Sequence, residues 1–177
     1  MKFSELVQTR QSCRKYDPSK EVEDDTLLEI LRIARLAPSA CNSQPYHITV
    51  CKGDTAKQVA KETQGMGMNK FTTDAPIMFV ISEEQYSPTA GFGSKIKHND
   101  YRSIDIGILS AYITAAATEF GLSTCILGWF NDKSIRNICN LQNPVRLVIS
   151  LGYAKQDDVI RTKKRKELEE FVSIIQH

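Results

Sequence analysis

None of the five cysteines, at 13, 41, 51, 125 and 139, forms a C-x-x-C pair, and their odd number supports no disulfide framework. Zinc-ribbon and dithiol-redox readings therefore lose their basis, and a reducing cytoplasm is the expected setting. Histidine is scarce: His47, His98 and His177 share no metal-ligand spacing, and no H-E-x-x-H occurs. A phosphate-cradling G-x-x-x-x-G-K-[ST] and a nucleophile elbow G-x-S-x-G are also missing. Gly65-Met66-Gly67 and Gly91-Phe92-Gly93 are too short for a dinucleotide fingerprint. No apolar run approaches the roughly 20 residues that span a bilayer. Met1–Glu5 turns polar at once, so neither a secretory leader nor a membrane partner is expected. A net charge of only +2 gives no general affinity for nucleic acid, and the basic run 161–166 lacks interleaved aromatics.

What is present suits one globular α+β domain spanning residues 1–177: 41% of residues are apolar and 25% charged. Helices are expected over Ser4–Arg10, from Asp24 or Asp25 to Leu36, over Asp54–Gln64, Asp100–Phe120 and Asp132–Cys139. Ser4, and Asp24 or Asp25, are the expected caps of the first two. The 100–120 helix is apolar on most faces and belongs at the centre of the fold or in a subunit interface. Strands are expected at Tyr46–Cys51, Pro76–Ser82, Ser123–Leu127 and Val145–Leu151, the second apolar throughout, as in a buried strand. Residues 84–99, with Pro88, Gly91 and Gly93, read as a long mobile loop. Leu168–Ile175 reads as a final strand or arm.

A chain without a cluster of acid, base and nucleophile is best explained by a cofactor that carries the chemistry. Two segments offer a site. Arg10-Gln11-Ser12-Cys13-Arg14-Lys15-Tyr16 sets two guanidiniums and a hydroxyl within five positions, donors suited to phosphate and planar anionic groups. Ala37-Pro38-Ser39-Ala40-Cys41-Asn42-Ser43-Gln44-Pro45-Tyr46 supplies neutral donors and acceptors for a heterocycle edge. Taken singly, Arg10 and Arg14 read as a solvated face, and Lys163 and Arg165 as part of a charged tail. Cys13 and Cys41 read as small buried or half-buried side chains rather than redox sensors.

The order and spacing of these segments change that reading. Arg10-x-Ser12-x-Arg14-x-Tyr16, then Leu31-x-x-Ala34-x-x-Ala37-Pro38-Ser39-Ala40-x-Asn42-x-Gln44-Pro45, resembles the FMN-dependent nitroreductase family. Asp74-Ala75-Pro76, Asp105, Gly121–Gly128, Leu151-Gly152-Tyr153 and Lys163-x-Arg165-Lys166-x-Leu168-Glu169-Glu170 continue the likeness over nearly the whole chain. The resemblance implies a mostly antiparallel central sheet flanked by helices, in an intertwined homodimer with its sites at the interface. It implies FMN as cofactor, NADH or NADPH as reductant, and a small-molecule acceptor. Arg10, Lys163 and Arg165 would hold the phosphate; Gln11 belongs to the same segment; Ser12 and Arg14 would reach the ribityl chain and pyrimidine. Arg14 would stabilise the negative charge that reduction leaves near N1 and the 2-carbonyl. Backbone at Leu127-Gly128 would approach N5, and Asn69 the pyrimidine. Pro38, Ser39, Ala40, Asn42 and Gln44 would reach the FMN of the other subunit. Tyr46 stands where Trp is usual, and Trp129 where a second Gly is common.

The same likeness covers dehalogenating and flavin-degrading relatives. A flavin carrier without turnover and a small anionic-ligand module are the remaining readings.

Overall fold

The computed structural model describes residues 1–176. Its centre is a four-stranded antiparallel sheet of β1 (Tyr46–Lys52), β2 (Ile77–Glu83), β3 (Ser123–Leu127) and β4 (Val145–Gly152), ordered β1-β2-β4-β3. The helices are α1 (Phe3–Thr9), α2 (Asp24–Ala34), α3 (Gly53–Glu62), α4 (Pro88–Lys97), α5 (Tyr101–Glu119), α6 (Asp132–Cys139) and the single turn α7 (Leu168–Phe171).

Successive strand side chains point to opposite faces, and β2 has helices on both. Its Ile77, Phe79 and Ile81 join Ile30, Ile106, Leu109 and Ile113 of α2 and α5 in one apolar cluster. Met78 and Val80 join Val59 of α3 and Ile135 of α6 in a second. That double burial is why β2 is continuously apolar rather than alternating. Gly152 at the end of β4 has no room for a side chain: a Cβ there would lie 2.6 Å from the Pro76 ring and 3.1 Å from the Tyr16 ring. Gly121 ends α5 at φ +73°, the left-handed turn that glycine adopts without strain.

Two local expectations need correction, and a third is decided between its alternatives. Residues 84–99 are not a loop but hold α4. Ser87 caps it by accepting the Ala90 amide, and Pro88 occupies the first turn, where a missing N–H costs nothing. The segment is also tied down. The Tyr86 hydroxyl accepts the Arg102 amide at 2.7 Å, the Arg102 guanidinium lies 4.6 Å over the Tyr86 ring, and Glu83 is ion-paired to both Arg102 and Arg146. Residues 168–175 form no strand; one helical turn sits in an exposed arm, with Phe171, Ile174 and Ile175 open to solvent. The caps shift as well. Helix α1 begins at Phe3 with Lys2 as its cap, whose amide donates to Glu5 at 3.0 Å, and α2 follows Glu23.

Candidate functional site

The first motif runs along the open edge of the sheet. Ser12 bridges Thr124 of β3 in parallel, and the Cys13 amide donates to the Thr124 carbonyl at 2.8 Å. This register buries Cys13 and Tyr16 completely and leaves Arg14 exposed. Tyr16 is held from below by Ser150, Oη to Oγ at 2.8 Å. Burial pushes the Cys13 thiol up to about 11, reinforced by the Asp158 carboxylate, so it stays protonated and packs as a small apolar group. Cys41, by contrast, is exposed rather than buried or half-buried. Burial raises the Cys125 thiol on β3, while the Arg14 guanidinium, a Ser12 hydrogen bond, Arg161 and Arg10 pull the other way.

The tail returns to the same edge. Gln11 clamps it with both ends of its amide: Nε2 donates to the Val159 carbonyl at 3.2 Å, and Oε1 accepts the Arg161 amide at 3.0 Å. Arg161 also donates to the Ser12 carbonyl and pairs with Asp158 at 3.0 Å. Lys163 Nζ donates to the Arg10 carbonyl at 2.8 Å. Partial burial, followed by the nearby guanidiniums of Arg10, Arg165 and Arg161, lowers the Lys163 ammonium below its ordinary value. Among the described residues, Arg10, Arg14, Lys163 and Arg165 have no carboxylate within 4.0 Å. Cations gathered without a counter-charge repel one another, and an anionic ligand relieves that repulsion.

The second motif forms a different kind of structure. Cys41, Asn42 and Gln44 all have left-handed backbone, at φ 51°, 50° and 46°. Three such non-glycine residues in four positions store strain that the surroundings must hold. Asp105 of α5, buried at 2% exposure, accepts the Ala40 amide at 3.0 Å. Ser39 Oγ accepts the Gln44 amide at 3.0 Å, and Ser43 Oγ accepts the Ser87 amide at 2.7 Å. The loop is thus fixed while the side chains of Asn42 and Gln44 stay exposed, as does Pro38; Ser39 and Ala40 are half-buried. Asp105 Oδ2 and Tyr46 Oη beneath the loop are both buried without a hydrogen-bond partner.

Asn69 is left-handed at φ 56° and donates its amide to the Thr63 carbonyl at 3.0 Å, which leaves its oxygen free. Its loop meets the end of β3: Gly65 packs on the Trp129 indole, and the Asn131 amide donates to Glu62 at 3.0 Å. Leu127 is buried and Gly128 exposed, with open space where a Cβ would stand.

One protomer therefore assembles Arg10, Gln11, Ser12, Arg14, Lys163 and Arg165, but it does not bring residues 38–44 to them. Asp105 holds the strained loop at the start of α5, and Arg10 borders a groove that runs along α5 from Gly107 to Glu119. Arg161 escaped sequence reasoning as a site residue, since its partners Gln11 and Ser12 lie about 150 positions away; the signal was a fifth cation in the 161–166 run.

The chain is 24% identical to an iodotyrosine dehalogenase 1 homolog of Caenorhabditis elegans, over 97% of the chain but only 61% of that protein. It is 24% identical to an oxygen-insensitive NADPH nitroreductase of Helicobacter pylori strain J99, covering 93% and 92% of the two chains. Its structure superposes on an FMN-dependent nitroreductase from Clostridium difficile R20291 with a TM-score of 0.69, at 26% identity and over 93% and 92% of the chains. The sequence model of the nitroreductase family matches residues 7–153, and the chain belongs to that family.

Proposed function

We propose that this chain is an FMN-dependent oxidoreductase that takes electrons from NADH or NADPH and passes them to a small acceptor such as a nitroaromatic or a quinone. The observation that carries the reading is the gathering of Arg10, Lys163 and Arg165 at one sheet edge with no carboxylate partner among the described residues, beside a hydroxyl (Ser12) and a further cation (Arg14). That donor set fits a phosphorylated ring cofactor: charge-assisted hydrogen bonds at the phosphate, neutral and charged donors at the ring. Bound FMN supplies the two-electron chemistry. The protein's part is to hold the phosphate with Arg10, Lys163 and Arg165, orient the ring against β3, and set a positive charge at its pyrimidine end through Arg14. Exposed Gly128 leaves the backbone bare at the opposite edge.

The reading includes a homodimer. Among the described residues no hydrogen bond joins the strained loop to the basic edge, and a second copy would bring Asn42 and Gln44 over the ring. An open groove of about 610 Å³ along α1 and α5, lined by Phe3, Val7, Ala111, Tyr112 and Ile126, offers the apolar surface for that contact.

The test is direct. The purified chain should be yellow, bleach with NADH or NADPH under anaerobic conditions, and regain colour on addition of an acceptor. A panel of nitroaromatics, quinones and halogenated phenols tried with each nicotinamide separates the reductase reading from the dehalogenase one. A colourless protein that cannot be reconstituted with FMN defeats both.

A further inference from the structure

Cys51 and Cys139 are 88 positions apart in sequence, yet their sulfurs approach to 3.6 Å. Cys51 is the penultimate residue of β1 and is 2% exposed; Cys139 is the last residue of α6 and is half-buried. Both belong to the packed layer between the sheet and the α3–α6 face, on the other side of the sheet from α2 and α5. Neither takes part in the basic edge or the strained loop. Their environment is asymmetric. The inner sulfur is enclosed by apolar side chains, while the outer one reaches the surface where α6 ends in left-handed Asn140.

We propose that Cys51 and Cys139 are a peroxide-reactive thiol pair in which Cys139 is oxidised first and Cys51 closes a disulfide onto it. Either thiol can donate across this contact. Cys139 is the half-buried partner and Cys51 the buried one, so Cys139 is the sulfur that peroxide reaches first; its thiol is lowered below its ordinary value while the contact and burial raise Cys51. In the first step the Cys139 thiolate attacks one oxygen of hydrogen peroxide. The S–O bond forms, the O–O bond breaks, and the departing hydroxide takes up a proton as water; sulfur is oxidised by two electrons to a sulfenic acid. In the second step the Cys51 sulfur attacks the Cys139 sulfur. The S–S bond forms, the S–O bond breaks, and hydroxide leaves with the Cys51 proton as a second water. Two thiols and one peroxide thus give a disulfide and two waters. The cross-link ties the end of β1 to the end of α6 and closes a long loop in the unfolded chain.

The experiment treats the full chain, as purified, with equimolar hydrogen peroxide, alkylates remaining thiols after denaturation, and maps peptides by mass spectrometry. The expected result is a Cys51–Cys139 cross-linked peptide lighter by two hydrogens, with Cys13 and Cys125 alkylated. In Cys51→Ser the Cys139 sulfenic acid should persist and be trapped by a cyclic diketone. In Cys139→Ser the Cys51 thiol should stay reduced. Recovery of both thiols fully alkylated from peroxide-treated wild type would overturn the pair, and needs no variant to fold. Oxidation of Cys51 in Cys139→Ser at the wild-type rate would overturn the order. Neither outcome depends on whether the chain binds FMN.

Discussion

Lys163 Nζ donates to the carbonyl of Arg10 at 2.8 Å, joining two basic segments that lie 153 positions apart. Gln11, one residue on, grips the tail at Val159 and Arg161, so the approach is built into the backbone of both segments. Replacing Arg10 or Arg165 with Ala should therefore weaken FMN binding by about 1.5–3 kcal/mol, the range for a lost charge-assisted hydrogen bond. In Kd that is a factor of roughly 10–150, read by titrating apoprotein with flavin and following fluorescence. Unchanged affinity in both variants would remove the phosphate assignment.

Asp105 acts on the other half of the candidate site. Its Oδ1 accepts the Ala40 amide at 3.0 Å and so holds a loop with three strained residues. Asp105→Ala leaves that amide unpaired and should cost about 1–3 kcal/mol in urea unfolding. Asp105→Asn keeps an acceptor oxygen and should restore part of the loss. Equal losses in the two variants would show that the acceptor oxygen is not what holds the loop.

How much of this was legible in the sequence differs by element. The β2 run announced a doubly buried strand, because Ile77, Phe79 and Ile81 needed one apolar layer and Met78 and Val80 another. Helix α4 was hidden because Gly91 and Gly93 weaken helical propensity and its apolar residues have little periodicity. Its only announcement was Ser87-Pro88, a cap followed by a first-turn proline. At the site, the residue types of both motifs were readable, since their chemistry is local. The clamp of Gln11 on Arg161 and the S–S approach of Cys51 to Cys139 depend on pairings 150 and 88 positions apart, which no local pattern encodes.

Assembly gives a third prediction. Phe3, Val7, Tyr112 and Ile126 are exposed around the groove between α1 and α5, and the 168–175 arm exposes Phe171, Ile174 and Ile175. So much exposed apolar surface on a small domain calls for a partner. Sedimentation should show a dimer at micromolar concentration, with an interface above about 2,000 Å². A folded, flavin-loaded monomer under those conditions would contradict it.

Acid stability supplies a fourth. Asp100 caps α5: its carboxylate accepts the Ser103 hydroxyl and amide, the Tyr86 hydroxyl lies at 3.3 Å, and Arg146 at 3.6 Å. The Ser103 hydrogen bond, before the other contacts, lowers this carboxylate below its ordinary 3.8. A carboxylate lowered in the folded state contributes stability that is fully present above the unfolded value and is lost as pH falls through the folded one. Asp100→Asn should thus unfold at lower urea than wild type at neutral pH. The gap should hold while pH stays above the ordinary carboxylate range and close as pH falls below it. A gap independent of pH would mean the cap acts through shape rather than charge.

The fifth concerns the chemistry itself. Arg14 is exposed at the sheet edge, has no carboxylate partner among the described residues, and its charge acts on the Cys125 thiol of β3. If its guanidinium faces the pyrimidine end of bound FMN, it stabilises the reduced, more negative ring over the oxidised one. Arg14→Ala should then lower the midpoint potential of the bound flavin. A loss of about 1.4 kcal/mol on a two-electron couple corresponds to about 30 mV. Arg14→Lys should recover part of that shift, because the charge survives although the planar fork does not. A guanidinium that merely contacts phosphate predicts a different pattern, with flavin affinity falling and the potential of whatever flavin binds staying put. Spectroelectrochemical titration of wild type, Arg14→Ala and Arg14→Lys distinguishes the two, and identical potentials in all three would leave Arg14 outside the redox chemistry.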